Sequence, residues 1–242
     1  MSELLECENL SVGYLKPNKK LIENFSFVLN EGEVVSLMGT NGCGKSTLLK
    51  TFAGSEPALA GSLKLLGRQI ADWPLKERAT KIGLVRMGTI PTNRMTVREF
   101  VGLGRMPYTG ILDGRSENDE RIVDDAIVLL NLKGFEGRCL NELSDGERSR
   151  VYLAMAVSQQ VKVLLLDEPN AFLDIPHSHA LFRLLRELAR KQGVGIVVST
   201  HSLEYANRYT DRMIVVDGGR AQVATPMEAL KRGFLDWTEM VL

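Results

Sequence analysis

The chain has 242 residues and a mass of 26.9 kDa, which suits one large domain or one domain with a compact subdomain and excludes a small stapled scaffold. It is 44% hydrophobic and 25% charged, so it can bury a sizeable core and is not a disordered or low-complexity protein. Lys+Arg and Asp+Glu balance at 30 each with no block of one sign, so no nucleic-acid partner is expected.

In chain order, the acidic MSELLECENL lacks the basic start and apolar stretch of a secretory signal. No apolar run approaches the roughly 18 residues of a membrane span. Cys7, Cys43 and Cys139 are widely spaced and odd in number, which fits a reducing cytosol better than a disulfide framework or a Cys-ligated zinc site. LLECENLSV, a polar turn at Lys16 to Lys20, FSFVL and the turn Asn30-Glu31-Gly32 read as antiparallel β-structure ahead of the main sheet. Val34 to Met38, Val163 to Asp167 and Val194 to Ser199 are nearly continuous apolar runs, the mark of strands covered by helices on both faces. Between Arg94 and Arg138 the pattern turns helical, with RSENDERIVDD leading into AIVLL, and predicts an amphipathic helical subdomain inserted into the core. Met213 to Asp217, Gly218-Gly219 and Arg220 to Ala224 read as a β-hairpin, followed by a helix with Pro226 at its start. The alternation of strands and helices predicts an α/β fold with a mainly parallel sheet.

Chemistry concentrates first at Gly39-Thr40-Asn41-Gly42-Cys43-Gly44-Lys45-Ser46-Thr47, a G-x-x-x-x-G-K-[ST] sequence between the strand VVSLM and the helical TLLKTFA. The glycines allow backbone N–H groups to curl around phosphates, and the positive end of the following helix adds to the attraction. Lys45 would bridge the β- and γ-phosphates of a nucleotide, and Ser46 would ligate Mg²⁺. Downstream, VLLLDEP ends a buried strand in two carboxylates. Asp167 can hold magnesium through water, and Glu168, pointing elsewhere, can polarise an attacking water as general base. Two acids at a strand end can also cap the next helix.

With these residues in order, the chain resembles the nucleotide-binding subunit of an ABC transporter. Leu143-Ser144-Asp145-Gly146-Glu147 is similar to that family's LSGGQ signature, departing at Asp145 and Glu147, and is followed by the helical RSRVYLAMAV. The resemblance implies that Ser144 and Gly146 face the γ-phosphate held by a second copy, so a homodimer with ATP between its halves is expected. Asn170 to Asp174 resembles the D-loop, with Asp174 reaching across the dimer or capping the next helix. His201 resembles the switch histidine on the γ-phosphate, and Tyr14 the aromatic residue that stacks on adenine. Lys45, Glu168 and His201 are thereby expected as the catalytic set, with ATP and Mg²⁺ as cofactors. His177 and His179 are expected to be solvated. The whole of 1–242 is expected to form one domain: a P-loop NTPase core, an N-terminal antiparallel β-subdomain, and a helical subdomain over about 88–160 that includes the signature.

Where the family carries a glutamine that senses Mg²⁺ and water, this sequence has Met87, which is a poor Mg²⁺ ligand. Met95-Thr96-Val97-Arg98-Glu99 through Gly104-Arg105-Met106-Pro107-Tyr108 resembles a segment of the importer ATPases for iron–siderophore, haem and cobalamin. That resemblance implies membrane-spanning permease subunits, a separate substrate-binding protein, and a place on the cytoplasmic face of the inner membrane. Residues of about 87–108 are a candidate docking surface, with Arg98 and Arg105 contributing charge, or else Met87, Ile90, Met95 and Met106 simply pack the subdomain. Cys43, near a helix N-terminus, is expected to favour the thiolate. The alternative within the superfamily is a soluble ATPase such as an iron–sulfur assembly protein. A P-loop GTPase or kinase is disfavoured because no Asn-Lys-x-Asp motif is present.

Overall fold

Alternation of side chains along the strands decides which elements meet. In a computed structural model, which describes residues 2–16, 19–86, 94–109 and 114–231, the elements in chain order begin with β1 (Glu3–Tyr14), β2 (Lys19–Asn30), β3 (Val34–Gly39) and α1 (Lys45–Phe52). They continue with β4 (Ala60–Leu65), β5 (Arg68–Gln69), α2 (Leu75–Ala79), β6 (Ile82–Arg86), α3 (Val97–Gly102), α4 (Glu117–Leu129) and α5 (Asp145–Ser158). The last are β7 (Val163–Asp167), α6 (Ile175–Gln192), β8 (Gly195–Ser199), α7 (Leu203–Tyr209), β9 (Arg212–Asp217), β10 (Arg220–Ala224) and α8 (Pro226–Lys231).

Two sheets result. The larger has strand order β10-β9-β3-β8-β7-β6, parallel throughout except for β10, which closes the expected hairpin with β9. The smaller, β2-β1-β4-β5, is antiparallel. It takes in β4 and β5, which the sequence pattern did not single out.

One face of the large sheet, through Val35, Leu37, Val163, Leu165 and Val197, packs with Leu48, Leu49 and Phe52 of α1 and with Phe25 and Phe27 of the small sheet. The other, through Val34, Leu164, Leu166, Ile196 and Val198, packs with Phe100, Val123, Val151, Tyr152, Phe182 and Leu185 from α3, α4, α5 and α6. Each parallel strand is therefore apolar on both sides, which is why VVSLM and VLLLD read as unbroken runs. Burial of each large side chain contributes about 1.5–3 kcal/mol. The double-sided core holds the C-terminal ends of β3, β7 and β8 rigid, where the site lies.

Arg105 was expected on a docking surface; it is instead 3% exposed. Its Nε donates to Asp119 Oδ1 at 2.9 Å, its guanidinium donates to Ser158 O at 2.7 Å, and it stacks over the Tyr108 ring at 3.9 Å. A buried arginine with these contacts ties the end of α3 to α4 and α5. Arg98 bridges Glu120 and Asp124 on α4. Met95 packs against the core, Met106 is 64% exposed, and Met87 and Ile90 lie outside the described residues.

Candidate active site

The loop between β3 and α1 holds the glycine-rich sequence, and its conformation needs those glycines. Gly44 has φ 114°, and at Gly39, φ 155°, an added Cβ would stand 2.6 Å from Val216 O. The helices α3, α4, α5 and α6 each start with a capping side chain, from Thr96, Ser116, Ser144 and Asp174. By contrast α1 starts at Gly44 with no side-chain cap and no acid in its first turn. Its leading N–H groups and positive dipole end are left for an anion. Lys45 is buried, and its ammonium donates to Gly39 O at 2.7 Å and Thr40 O at 3.0 Å, folding over the loop. Ser46 and Thr47 follow in the first turn, and the Tyr14 hydroxyl lies 3.2 Å from Thr47 Oγ1. Tyr14 is 46% exposed beside the loop.

A second group forms where β6, β7 and β8 end side by side. Asp167 is 8% exposed; Ser199 Oγ donates to its Oδ1 at 3.0 Å and Arg86 Nε lies 3.1 Å from its Oδ2. The Glu168 N–H donates to the same Ser199 hydroxyl at 2.8 Å. Glu168 has φ 51°, a left-handed conformation unusual for a side chain of its size, and this turns its carboxylate away from Asp167. Glu168 Oε1 meets His201 Nε2 at 2.7 Å, and with Asn170, Thr200 and Ser202 the pair lines an open cleft of about 340 Å³. Asp167, Glu168 and His201 are thus brought together. Ser199 and Arg86, which hold Asp167, were missed by the sequence reading. Both are the last residues of their strands, and that position was the available signal.

The turn Ser144-Asp145-Gly146-Glu147 opens α5. The Ser144 hydroxyl accepts from the Glu147 N–H at 3.3 Å, and Glu147 Oε2 accepts from the Ser144 N–H at 2.8 Å, a closed capping box. These bonds to the Ser144 N–H and hydroxyl hold the Glu147 carboxyl below its usual range. Asp145 pairs with Arg148. Among the described residues, the side-chain hydrogen bonds and ion pairs of Ser144, Asp145 and Glu147 stay within this turn or reach Arg138 and Arg148; Ser144 itself is exposed. Asp174 caps α6 by accepting from the His177 N–H at 2.9 Å and is also exposed.

Two expectations are corrected here. Cys43 is half-buried, and desolvation, only partly offset by the nearby Lys45 charge, pushes its thiol up; the helix N-terminus does not win. His179 is only partly solvated: its Nδ1 lies 3.0 Å from the Tyr209 hydroxyl and its Nε2 3.3 Å from Glu204, pinning α6 to α7.

A G-x-x-x-x-G-K-[ST] loop at the end of β3 and an acid pair at the end of β7, a parallel strand of the same sheet separated from β3 by β8, define a nucleotide-hydrolysing P-loop protein, and the exposed capped serine turn stands where the resemblance to the ATP-binding cassettes puts their signature. Residues 22–171 match the family model described as ABC transporter, and the chain belongs to that family. It is 37% identical to the hemin import ATP-binding protein HmuV of Streptomyces coelicolor, over 90% of this chain and 77% of that protein. It is 32% identical to the iron(3+)-hydroxamate import ATP-binding protein FhuC of Bacillus subtilis, over 98% of this chain and 90% of that protein. Among solved structures it matches the dimeric bacterial ABC transporter cassette MJ0796 with a TM-score of 0.81 at 25% identity, over 92% of this chain and 99% of that one. The same cassette has been seen as a dimer after hydrolysis with ADP and Pi. The chain is an ATP hydrolase of the ABC type. No described helix is long and apolar enough to cross a membrane.

Proposed function

We propose that the chain is the ATP-hydrolysing subunit of an importer for a metal chelate, such as an iron–siderophore complex, haem or cobalamin. It would work as a homodimer on the cytoplasmic face of the inner membrane, beneath membrane-spanning permease subunits served by a separate substrate-binding protein. The observation that carries this reading is the similarity, along nearly the whole chain, to hemin and iron(3+)-hydroxamate import ATP-binding proteins.

The residues supply a route to hydrolysis. The uncapped start of α1 and the backbone of Gly39 to Gly44 receive the phosphates, and Lys45 exchanges its two carbonyl contacts for β- and γ-phosphate oxygens. Tyr14 stacks on adenine. Glu168 takes the proton of the attacking water, and His201, already 2.7 Å from Glu168, supports the γ-phosphate and keeps that carboxylate oriented. Ser144 and Gly146, at the exposed start of α5, face the γ-phosphate bound by the other copy, and Asp174 reaches across beside them. Closing two copies on two ATP and reopening after hydrolysis is the work stroke. The helices α3, α4 and α5, within the 88–160 subdomain of a single 1–242 domain, carry that motion to the membrane partner.

The Ser46 hydroxyl and Asp167 carboxylate are hard oxygen donors and fit Mg²⁺ held jointly with phosphate oxygens. Among the described residues no group of three or more His, Cys, Asp or Glu is placed to hold a metal without the nucleotide. When bound, Mg²⁺ would neutralise charge on the phosphate oxygens.

The test is mild detergent extraction of the tagged chain from its own cells, with mass spectrometry of what co-purifies in stoichiometric amount. A multispanning membrane protein is expected. Recovery of soluble partners alone, with Mg-ATPase activity intact, would contradict the importer reading.

A further inference from the structure

The pairing of Arg86 with Asp167 is built by the sheet rather than by a chance side-chain rotamer. In the parallel register of β6 and β7 the two residues are direct Cα partners. Ile82 and Leu84 on β6, and Val163 and Leu165 on β7, pack on the α1 face, so by strand alternation Arg86 and Asp167 continue that same face at the strand ends. Asp167 is nearly buried, and each of its oxygens has a partner: Ser199 on one, the Arg86 guanidinium at 3.1 Å on the other. A carboxylate so enclosed needs a positive neighbour, and here the chain supplies its own.

We propose that Arg86 is an internal counter-ion that takes the place of the divalent cation at Asp167 until the metal–nucleotide complex arrives, and must release that carboxylate when the metal engages it. This rests on the assignment of the phosphate loop and Asp167 to the nucleotide site. It has an unusual consequence, because one positive side chain acts with opposite sign on two ligands. Arg86 attracts the anionic phosphates of metal-free nucleotide, and it competes with a metal cation for Asp167. Arg86 is therefore a positioning residue that lets nucleotide load before metal and weakens the metal's hold.

The test uses the purified full chain as wild type, Arg86→Gln and Arg86→Thr, made in parallel so that loss of fold in one leaves the other to decide. The non-hydrolysable analogue AMP-PNP is titrated in EDTA, and Mn²⁺ is then titrated into the analogue-saturated protein and followed by electron paramagnetic resonance. Loss of the guanidinium should raise the Kd for metal-free analogue and lower the Kd for Mn²⁺, each by about threefold to tenfold, the span of one charge-assisted contact at a half-exposed site. A merely structural arginine would weaken both. Shifts of the same sign, or no shift in either, would overturn the inference while leaving the site reading intact. Failure of the wild-type chain to bind the analogue at all would overturn both.

Discussion

Glu168 occupies a backbone conformation, φ 51°, that costs a non-glycine residue about 1–2 kcal/mol, and it is held there by the bond from its N–H to Ser199 Oγ. The strain separates two adjacent acids into two tasks: Asp167 faces Arg86 and Ser199, Glu168 faces His201. Strand alternation made this division legible in the sequence, whereas the Ser199 anchor sits on a neighbouring strand far away in the chain, so its place at a strand end could be read but its pairing with Asp167 and Glu168 could not. Cys43 shows how residue-scale reasoning from one effect fails. A helix N-terminus and the nearby Lys45 charge favour the thiolate, but desolvation of the half-buried thiol outweighs them. At about pH 7, site-resolved iodoacetamide labelling should modify Cys43 more slowly than free cysteine in the same tube. The rate should climb as pH rises through the usual thiol range, and bound ATP should suppress it. Labelling at neutral pH faster than free cysteine would show an activated thiolate instead.

At the scale of elements, the signature turn is a structural device before it is anything else. Its serine and its fourth position form the two halves of a capping box at α5, and glutamate closes that box as well as the family's glutamine does. The departure at Glu147 therefore keeps a residue able to close the capping box, which a motif comparison by letters does not reveal. Ser144→Ala should cost about 1 kcal/mol of stability in urea unfolding, the usual worth of an N-cap. Because the folded chain holds Glu147 below its ordinary value, its contribution is complete above the usual carboxylate range and is lost as pH falls through the lowered value. Glu147→Gln keeps the box without the titration, so its stability should fall less than that of wild type on acidification to about pH 3.5. Equal losses would place the acid sensitivity elsewhere. The helical region itself was legible from its amphipathic stretch, but the burial of Arg105 was not, since an arginine reads as surface until its partner Asp119 is known to lie on the facing helix.

The two sheets and their shared core present the phosphate loop, the acid pair and the capped turn on one chain, yet the first two make no hydrogen bond or ion pair with the third among the described residues. Long apolar strands announced the parallel core, because both of their faces are covered; β4 and β5 went unread because the small sheet is half-exposed and short at that edge. Ser144, Gly146 and Asp174 acquire a chemical role only if a second copy brings its phosphate loop to them. The most direct measurement is sedimentation of the Glu168→Gln protein with Mg-ATP, paired with its hydrolysis rate. Loss of the proposed general base should lower the rate by about 10²–10⁴ and hold ATP in place, so the protein should sediment as a dimer with ATP and as a monomer without it. A monomer at saturating ATP, or a rate equal to wild type, would contradict the two-copy site with Glu168 as its base.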